Sequence, residues 1–279
     1  MQPSVFVTTK DSRWFFVVQS VFFSVFQKLF LGLLICVLLA GCSAPAALKL
    51  SDSDFIELCK EGSLKQIANA IKNGANVNAR DDDGLTPLLW AVAANPNLEV
   101  ITTLINAGAD VNVVDNFEMT PLTRAVISNN PEMIKALAKA GADINARNKS
   151  GMTPLIWAAL SSNSEVVTAL VKAGADVNVE AKIGVTPLIT AVINHNPEVI
   201  TVLINTGADI NARNKSGVTP LMVAAKSARN PEAITILLKS GADPKMKDRS
   251  GKMAINYMRE NKRLQDTDAL KKLEEVSRY

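Results

Sequence analysis

A Thr-Pro-Leu phrase returns through the chain at steps of 33 or 34 residues, and this period limits the fold more than any other feature of the sequence. The threonines of the five copies are Thr86, Thr120, Thr153, Thr186 and Thr219. A second phrase, Gly-Ala followed by Asn or Asp, keeps the same step, and its glycines are Gly74, Gly108, Gly141, Gly174, Gly207 and Gly241. Two phrases in phase indicate a repeated structural unit, so the fold is read from the repeat and not from chain length.

These phrases and a third one predict two helices in each unit. A threonine side chain accepts a hydrogen bond from the free amides of a first helical turn, and proline suits the first helical position. Asn-Pro-Glu at 130–132, 196–198 and 230–232 offers the same chemistry, with glutamate beside the positive end of the helix. A first helix should therefore begin at Thr-Pro-Leu, and a second helix should end at the glycine of Gly-Ala-Asp, which readily takes a left-handed conformation.

The predicted second helices carry apolar pairs four residues apart, as in Ile101 with Ile105 and Ile200 with Ile204. This spacing puts an apolar stripe on one face of a helix. The predicted first helices carry alanines such as Ala91, whose small side chains let neighbouring helices approach closely. Because a single helix pair cannot bury its stripe alone, we expect the units to stack on one another.

The period of 33 residues with Thr-Pro-Leu and Gly-Ala-Asp resembles the ankyrin repeat over about residues 51–279. The resemblance implies an all-α solenoid of stacked helix-turn-helix units joined by finger-like β-hairpin loops. We place five full repeats at 81–247, an N-terminal capping repeat at 51–80 and a C-terminal capping repeat at 248–279. The first and fifth repeats hold one extra residue, which we expect in the loop between their helices.

The sequence departs from the family pattern directly after Thr-Pro-Leu, where ankyrin repeats usually have histidine. The residues at this position are Leu89, Thr123, Ile156, Ile189 and Met222. We expect the fold to survive, since the apolar stripes and the helix caps are intact. The hydrogen bonds that the histidine ring makes between loops must come from other groups or be missing.

Residues 1–41 are predicted to be a lipoprotein signal peptide. Lys28 precedes an apolar run at 29–39, and small residues follow, which is typical of an export signal. The sequence Leu-Ala-Gly-Cys at 39–42 is similar to the lipobox of bacterial lipoproteins, which implies cleavage before Cys42 and a diacylglyceryl group on its sulfur. A membrane-spanning helix at 14–40 is the alternative, but polar residues interrupt that stretch and a span needs roughly 20 apolar residues.

Residues 42–50 would then be the lipidated cysteine and a short tether. The residue after the cysteine is Ser43 and not an aspartate. The resemblance to lipoproteins of two-membrane bacteria therefore implies transfer to the outer membrane. We therefore predict a protein of the bacterial cell envelope that faces the periplasm. Two acyl chains hold a protein stably, because each buried methylene contributes about 0.8 kcal/mol.

No enzyme activity, metal or cofactor is predicted for this chain. The single histidine, His195, falls in the turn between two helices, without the helpers that a catalytic triad or a zinc site requires. The resemblance to ankyrin repeats implies that the aspartates of the Gly-Ala-Asp phrases fix the loops, and they are not interpreted as a calcium ladder. Cys59 lies in a helix with an apolar face and is interpreted as a buried, inert thiol.

The net charge gives no reason to expect nucleic acid as a partner. The formal charge is +3, of which Lys10, Arg13, Lys28 and Asp11 of the signal peptide account for +2, leaving 3 − 2 = +1. A nearly neutral body lacks the basic surface that nucleic-acid binding requires. We expect a monomer whose partner is another protein.

In ankyrin-repeat proteins the hairpin tips and the concave face of the first helices contact the partner, and the resemblance implies the same surface here. The matching residues are Asp82, Asp83, Leu85, Asn116, Phe117, Met119, Ile127, Arg147, Lys149, Met152, Leu160, Lys182, Ile183, Arg213 and Lys215. The early tips are acidic and then apolar, whereas the later tips are basic. This composition suits a partner with an apolar spot bordered by acidic groups.

The sequence thus predicts an envelope-anchored ankyrin-repeat protein that binds another protein and localises, protects or inhibits it. Two alternatives stay open: a secreted effector that binds host proteins, and a structural component whose repeats self-associate. The predicted lipid anchor argues against the effector.

Overall fold

The computed structural model describes residues 49–161, 163–227, 231–264 and 267–278. The predicted signal peptide, Cys42 and residues 43–48 of the tether lie outside the described residues. Fourteen helices and no β-strand occur in the described part of the chain. The helices are α1 (Asp52–Glu61), α2 (Leu64–Lys72), α3 (Pro87–Ala94), α4 (Leu98–Asn106), α5 (Pro121–Ile127), α6 (Pro131–Lys139), α7 (Pro154–Leu160), α8 (Ser164–Lys172), α9 (Pro187–Ile193), α10 (Pro197–Asn205), α11 (Pro220–Ser227), α12 (Glu232–Lys239), α13 (Ala254–Glu260) and α14 (Asp268–Arg278).

The helices form pairs that stack in chain order. The first helix of each pair packs against the first helix of the next pair, and the second helices pack in the same way. Five pairs begin at the Thr-Pro-Leu phrases, and one further pair lies before them and one after them. The all-α repeat solenoid predicted from the sequence is confirmed.

The threonine of each Thr-Pro-Leu phrase caps a first helix, as predicted. The backbone N–H three residues after each threonine donates to the threonine Oγ1 at 3.1 to 3.4 Å. The proline is the first helical residue in all five cases, where no backbone hydrogen bond is lost. The repeated phrase therefore sets where each first helix begins.

Helix α6 begins and ends at the predicted signals, whereas the predicted cap of α12, Asn230, lies outside the described residues. Asn130 Oδ1 accepts a hydrogen bond from the Met133 N–H at 3.0 Å. The helix ends at Lys139, and Gly141 two residues later is left-handed, with φ +91°. The Ala142 N–H then donates back to the Leu137 carbonyl at 3.0 Å, which satisfies a carbonyl of the last turn.

One continuous hydrophobic core runs through the stacked pairs. In the second full repeat, Leu122 and Ala125 of α5 and Ile134 and Leu137 of α6 are completely buried. The alanine keeps the first helices close, and the larger side chains of the second helices fill the space beside them. Each repeat therefore covers the apolar stripe of its neighbour, as expected for a solenoid.

The extra residue of the first repeat lies in a helix, so its predicted place in the loop was wrong. Helix α3 has eight residues, whereas α5 has seven, and three residues separate each of them from the second helix of its pair. In the second repeat the three-residue turn needs a left-handed residue, Asn129 with φ +53°. The first repeat has no left-handed residue at 95–97.

Asparagines in the loops join each repeat to the next. Asn145 Nδ2 donates to the Gly174 carbonyl at 3.3 Å, and Asn145 Oδ1 accepts from the Asp176 N–H at 2.9 Å. Asn78, Asn112 and Asn178 make the same two hydrogen bonds. Asp176 Oδ1 in turn accepts from the Asn178 N–H at 2.9 Å, so the Gly-Ala-Asp aspartates fix the loops as predicted. Links between loops thus persist without the family histidine.

We expect Asn145→Ala to lower the free energy of unfolding by about 1–3 kcal/mol, because it removes both hydrogen bonds between two repeats. The matched control is Asn106→Ala, which changes an exposed asparagine at the end of α4. The control should alter stability by less than about 0.5 kcal/mol. Urea unfolding followed by circular dichroism measures both. Equal stability of the two variants would show that the asparagines do not hold the repeats together.

Candidate protein-binding face

Five tight loops precede the first helices of the full repeats, and we call them fingers one to five. They are residues 81–85, 115–119, 148–152, 181–185 and 214–218. In finger one the Asp81 N–H donates to the Leu85 carbonyl at 3.0 Å and the Gly84 N–H donates to the Asp81 carbonyl at 2.9 Å. The chain therefore reverses as a hairpin does, through a turn and without strands. The fingers and the five first helices that follow them are called the finger face below.

The first residue of a finger usually anchors the loop with its own side chain. Asp115 Oδ1 accepts from the Phe117 N–H at 2.8 Å and from the Met119 N–H at 2.9 Å. Asp81, Asn148 and Asn214 hold their fingers by the same pair of bonds. Finger four begins with Ala181, which has no side-chain oxygen to do this.

Two pairs of neighbouring fingers are linked through their backbones. The Asn116 N–H of finger two donates to the Asp83 carbonyl of finger one at 3.2 Å, and the Lys182 N–H of finger four donates to the Ser150 carbonyl of finger three at 3.0 Å. Arg80 Nη1 also spans two repeats, since it donates to the Val114 carbonyl at 3.0 Å. These bonds place the finger tips side by side.

The exposed large hydrophobic side chains of the described residues all lie in fingers, directly before one, or at the ends of first helices. Phe117 is 67% exposed and Ile183 is 69% exposed, at the tips of fingers two and four. Ile127, Leu160 and Ile193, each the last residue of its first helix, are 54%, 42% and 48% exposed. They occupy the same position in three consecutive repeats, so they form a row across the finger face.

Most residues predicted for this face are open to solvent. Phe117, Ile127, Leu160 and Ile183 are exposed. The exposed polar members are Asp82, Asp83, Asn116, Arg147, Lys149, Lys182, Arg213 and Lys215. Met119 and Met152 are half-buried beside them.

Three predicted residues have structural roles that the sequence pattern did not reveal. Leu85 is 4% exposed and packs in a small cluster with Leu89 and Val113, so its predicted contact with a partner is not supported by its position. Arg147 donates to the Glu180 carbonyl at 2.9 Å, and Arg213 donates to the Lys247 carbonyl at 2.8 Å. Both guanidinium groups therefore bridge adjacent repeats as well as facing solvent.

Glu118 is a residue of the face that the sequence reasoning missed. It is left-handed, with φ +62°, at the finger position where the other full repeats have glycine. Its carboxylate accepts the Lys149 N–H of the next finger and forms an ion pair with Lys149 Nζ. The hydrogen bonds from Lys149 lower the pKa of Glu118. The sequence could have revealed Glu118, because it stands where the other full repeats have glycine. A left-handed conformation is uncommon for a residue other than glycine, so such a residue indicates a specific interaction.

A cleft of about 340 Å³ opens between fingers two and three. Val114, Met152 and Trp157 supply apolar surface to it, and the charged side chains Arg147 and Lys149 also line it. It is lined by apolar and by polar or charged side chains together. This cleft and the row of exposed side chains lie on the same finger face.

The sequence matches the family model for "Ankyrin repeats (3 copies)" at residues 55–148, 91–181 and 174–248. These matches together cover more than half of the chain. The chain belongs to the ankyrin-repeat family. A search of curated proteins found no match. Ankyrin repeats are protein–protein interaction modules, which fits a surface that combines exposed apolar and charged side chains.

Two further side chains of this ankyrin-repeat protein, His195 and Cys59, are of types that bind metals or act as nucleophiles in other proteins. His195 is half-buried and left-handed, with φ +55°, in the turn between α9 and α10. Within the described residues, no three His, Cys, Asp or Glu side chains come together as a metal site would need. None of the helices described is long and apolar enough to cross a membrane. Cys59 is fully buried, and burial raises the pKa of its thiol to about 12.

Cys59 should react very slowly with a thiol reagent in the folded protein, because burial raises the pKa of its thiol to about 12 and covers the sulfur. The measurement uses full-length protein with Cys36→Ser and Cys42→Ser. Adding Asn106→Cys provides an exposed thiol as the control. We expect Cys59 to react at least about a hundredfold more slowly than Cys at 106, and at the same rate once urea unfolds the protein. Rapid labelling in the folded state would contradict the buried, inert assignment.

Proposed function

We propose that this ankyrin-repeat protein is attached to the bacterial envelope through lipidated Cys42 and binds a protein partner with its finger face. The observation that carries the binding part is the distribution of exposed apolar side chains. In the described chain every exposed large hydrophobic residue belongs to, or adjoins, the fingers and first helices. An apolar surface gathered on one face marks an interaction site, whereas scattered apolar residues need no such explanation.

The chemistry of the face selects the kind of partner. Phe117 and Ile183 project from two fingers, and the exposed cations Lys149, Lys182 and Lys215 lie on fingers three to five. Buried apolar contact supplies affinity, while complementary charge at the rim guides association and excludes wrong partners. A partner with an apolar spot bordered by acidic groups fits this surface.

The anchor would keep the partner close to the membrane. An extended chain spans at most about 3.5 Å per residue, so residues 43–50 would hold the repeats within roughly 30 Å of the lipid. Two acyl chains are enough for stable residence in a membrane. The protein would act as a scaffold, a protective factor or an inhibitor by holding its partner there.

Replacing Ile127 and Leu160 together by serine should lower partner capture at least tenfold, since the change removes two exposed aliphatic side chains from the row. A tenfold loss corresponds to about 1.4 kcal/mol, and one buried leucine or isoleucine side chain contributes about 1.5–3 kcal/mol. Photo-crosslinking in cells, followed by mass spectrometry, measures capture. The control variant carries Lys135→Ser and Thr201→Ser, which change exposed residues of second helices.

Two outcomes of this experiment would contradict the proposal. Equal capture by the Ile127/Leu160 variant and the control would show that the partner binds elsewhere. A crosslinked product made of two copies of this chain, with light scattering showing a dimer, would assign the face to self-association. The expected result is a heterologous product that weakens only in the Ile127/Leu160 variant.

Cys42→Ser should abolish lipid attachment and release the protein from the membrane fraction, because the acceptor sulfur is lost. Labelling of cells with a fatty-acid analogue, together with membrane fractionation, measures both effects. Cys59→Ser is the matched control, since it changes a buried thiol and should leave lipidation intact. A Cys42→Ser protein that still carries label, or that stays with the membrane like the wild type, would rule out this anchor.

A further inference from the structure

The anchoring residue of a finger often uses its second carboxylate oxygen as well. Asp81 Oδ1 holds the loop, and Asp81 Oδ2 accepts from Trp90 Nε1 at 2.6 Å. The partner stands nine residues later in the chain, on the first helix. Asp115 pairs with Arg124 in the same way, and Asp248 at the start of the last repeat pairs with Tyr257. In each case a carboxylate oxygen accepts a hydrogen bond from a side chain of the first helix.

Finger three breaks this arrangement. Asn148 Oδ1 accepts from the Ser150 and Met152 N–H groups, both at 3.0 Å, which identifies that atom as the oxygen of the amide. The other terminal atom is therefore Nδ2, a donor, at the place of the second oxygen of Asp81. The residue nine positions later is Trp157, whose Nε1 is also only a donor. Two donors cannot bond to each other, and within the described residues neither one has a hydrogen-bond acceptor.

Asn148 and Trp157 both line the cleft between fingers two and three. Other donors line it too. The hydroxyl oxygens of Thr120 and Thr123 are 3.0 Å apart, so one hydroxyl donates a hydrogen bond to the other. The hydroxyl that accepts this bond can donate its own hydrogen to another acceptor. Arg147 uses Nη1 for the Glu180 carbonyl and has further N–H groups.

The negative charge in the cleft is already compensated. Glu118 is the carboxylate among the lining residues, and Lys149 holds it through both its backbone N–H and its ammonium group. The remaining polar lining is dominated by donors, next to the apolar side chains of Val114 and Met152. A ligand that fills this cleft must bring acceptor oxygens on a short apolar stem.

We propose that the cleft between fingers two and three is a subsite for an acidic side chain of the partner protein. The carboxylate oxygens accept hydrogen bonds from Trp157 Nε1 and Asn148 Nδ2, Arg147 supplies positive charge, and the methylene groups lie against Val114 and Met152. Charge-assisted hydrogen bonds of this kind are stronger than neutral ones. This inference rests on the proposed function of the finger face and names the side chain that one part of the face recognises.

The test follows the indole N–H signals of the full-length protein in non-ionic detergent by ¹⁵N NMR. The chain has three tryptophans, Trp14, Trp90 and Trp157, and replacement of each by phenylalanine assigns the signals. The probe is N-acetyl-glutamate N-methylamide, and its glutamine counterpart is the neutral control. We expect the glutamate probe to move the Trp157 signal in a saturable way and the glutamine probe to bind at least tenfold more weakly. The Trp90 signal should not move, because its indole N–H already donates a hydrogen bond to Asp81.

Asn148→Asp provides the decisive variant. The new carboxylate can accept from Trp157 as Asp81 accepts from Trp90, so stability should be kept while the cleft gains a repelling charge. Binding of the glutamate probe should fall at least tenfold. Asn214→Asp is the matched control, because the same change in finger five has Val223, which is no donor, nine residues later. The control should bind the probe as the wild type does.

Several results would overturn the carboxylate subsite. These are a Trp157 signal that does not move, equal responses of Trp90 and Trp157, equal binding of the two probes, or unchanged binding by Asn148→Asp. The crosslinking experiment on Ile127 and Leu160 separates this outcome from failure of the proposed function. If capture still depends on those two residues, only the subsite is wrong, whereas loss of that dependence removes the binding role of the face itself.

Discussion

Each helix pair of this protein has an apolar stripe that it cannot cover by itself, and mutual burial of these stripes determines the rest of the structure. Because alanines such as Ala125 lie where first helices meet, the helices approach closely and the repeats stay in register. Register brings equivalent residues of successive repeats next to one another. Ile127, Leu160 and Ile193 form a row for this reason, although they are far apart in the sequence.

The division between repeated and variable positions follows from the same constraint. Residues that return in most repeats cap helices, end them or bridge the loops, as Thr120, Gly141 and Asn145 do. Residues that change from repeat to repeat lie at the finger tips and at the ends of the first helices. The side chains that hold the stack together are thus mostly distinct from those exposed on the finger face, and Arg147 and Arg213 are exceptions because they also bridge adjacent repeats.

Most of the fold could be predicted from the sequence because its signals are local. A cap such as Thr120 acts on an amide three residues away, and a stripe residue such as Ile134 is recognised by its spacing. The site was predicted less completely. The burial of Leu85 and the carbonyl bonded by Arg147 depend on the neighbouring repeat, about a full period away, and on side-chain conformation that periodicity does not encode.

The repeated sequence phrases also did not predict the hydrogen bond between the first residue of a finger and a donor on the first helix. Asp81 with Trp90 and Asp115 with Arg124 are nine residues apart and differ in residue type, so no repeated phrase marks them. Once the geometry of one pair is known, the others can be read directly. The mismatch at Asn148 then becomes visible as a departure from the pairing that Asp81, Asp115 and Asp248 make.

Finger four carries the most exposed large hydrophobic side chain of the described chain, Ile183, on the loop that begins with Ala181. Without a side-chain oxygen at its base, this loop has fewer internal hydrogen bonds than the one that bears Phe117. Fixing a freer loop costs conformational entropy at the moment of association. In the proposed complex, two side chains of nearly equal exposure would therefore contribute unequally to affinity, with Phe117 the stiffer contact and Ile183 the more adaptable one.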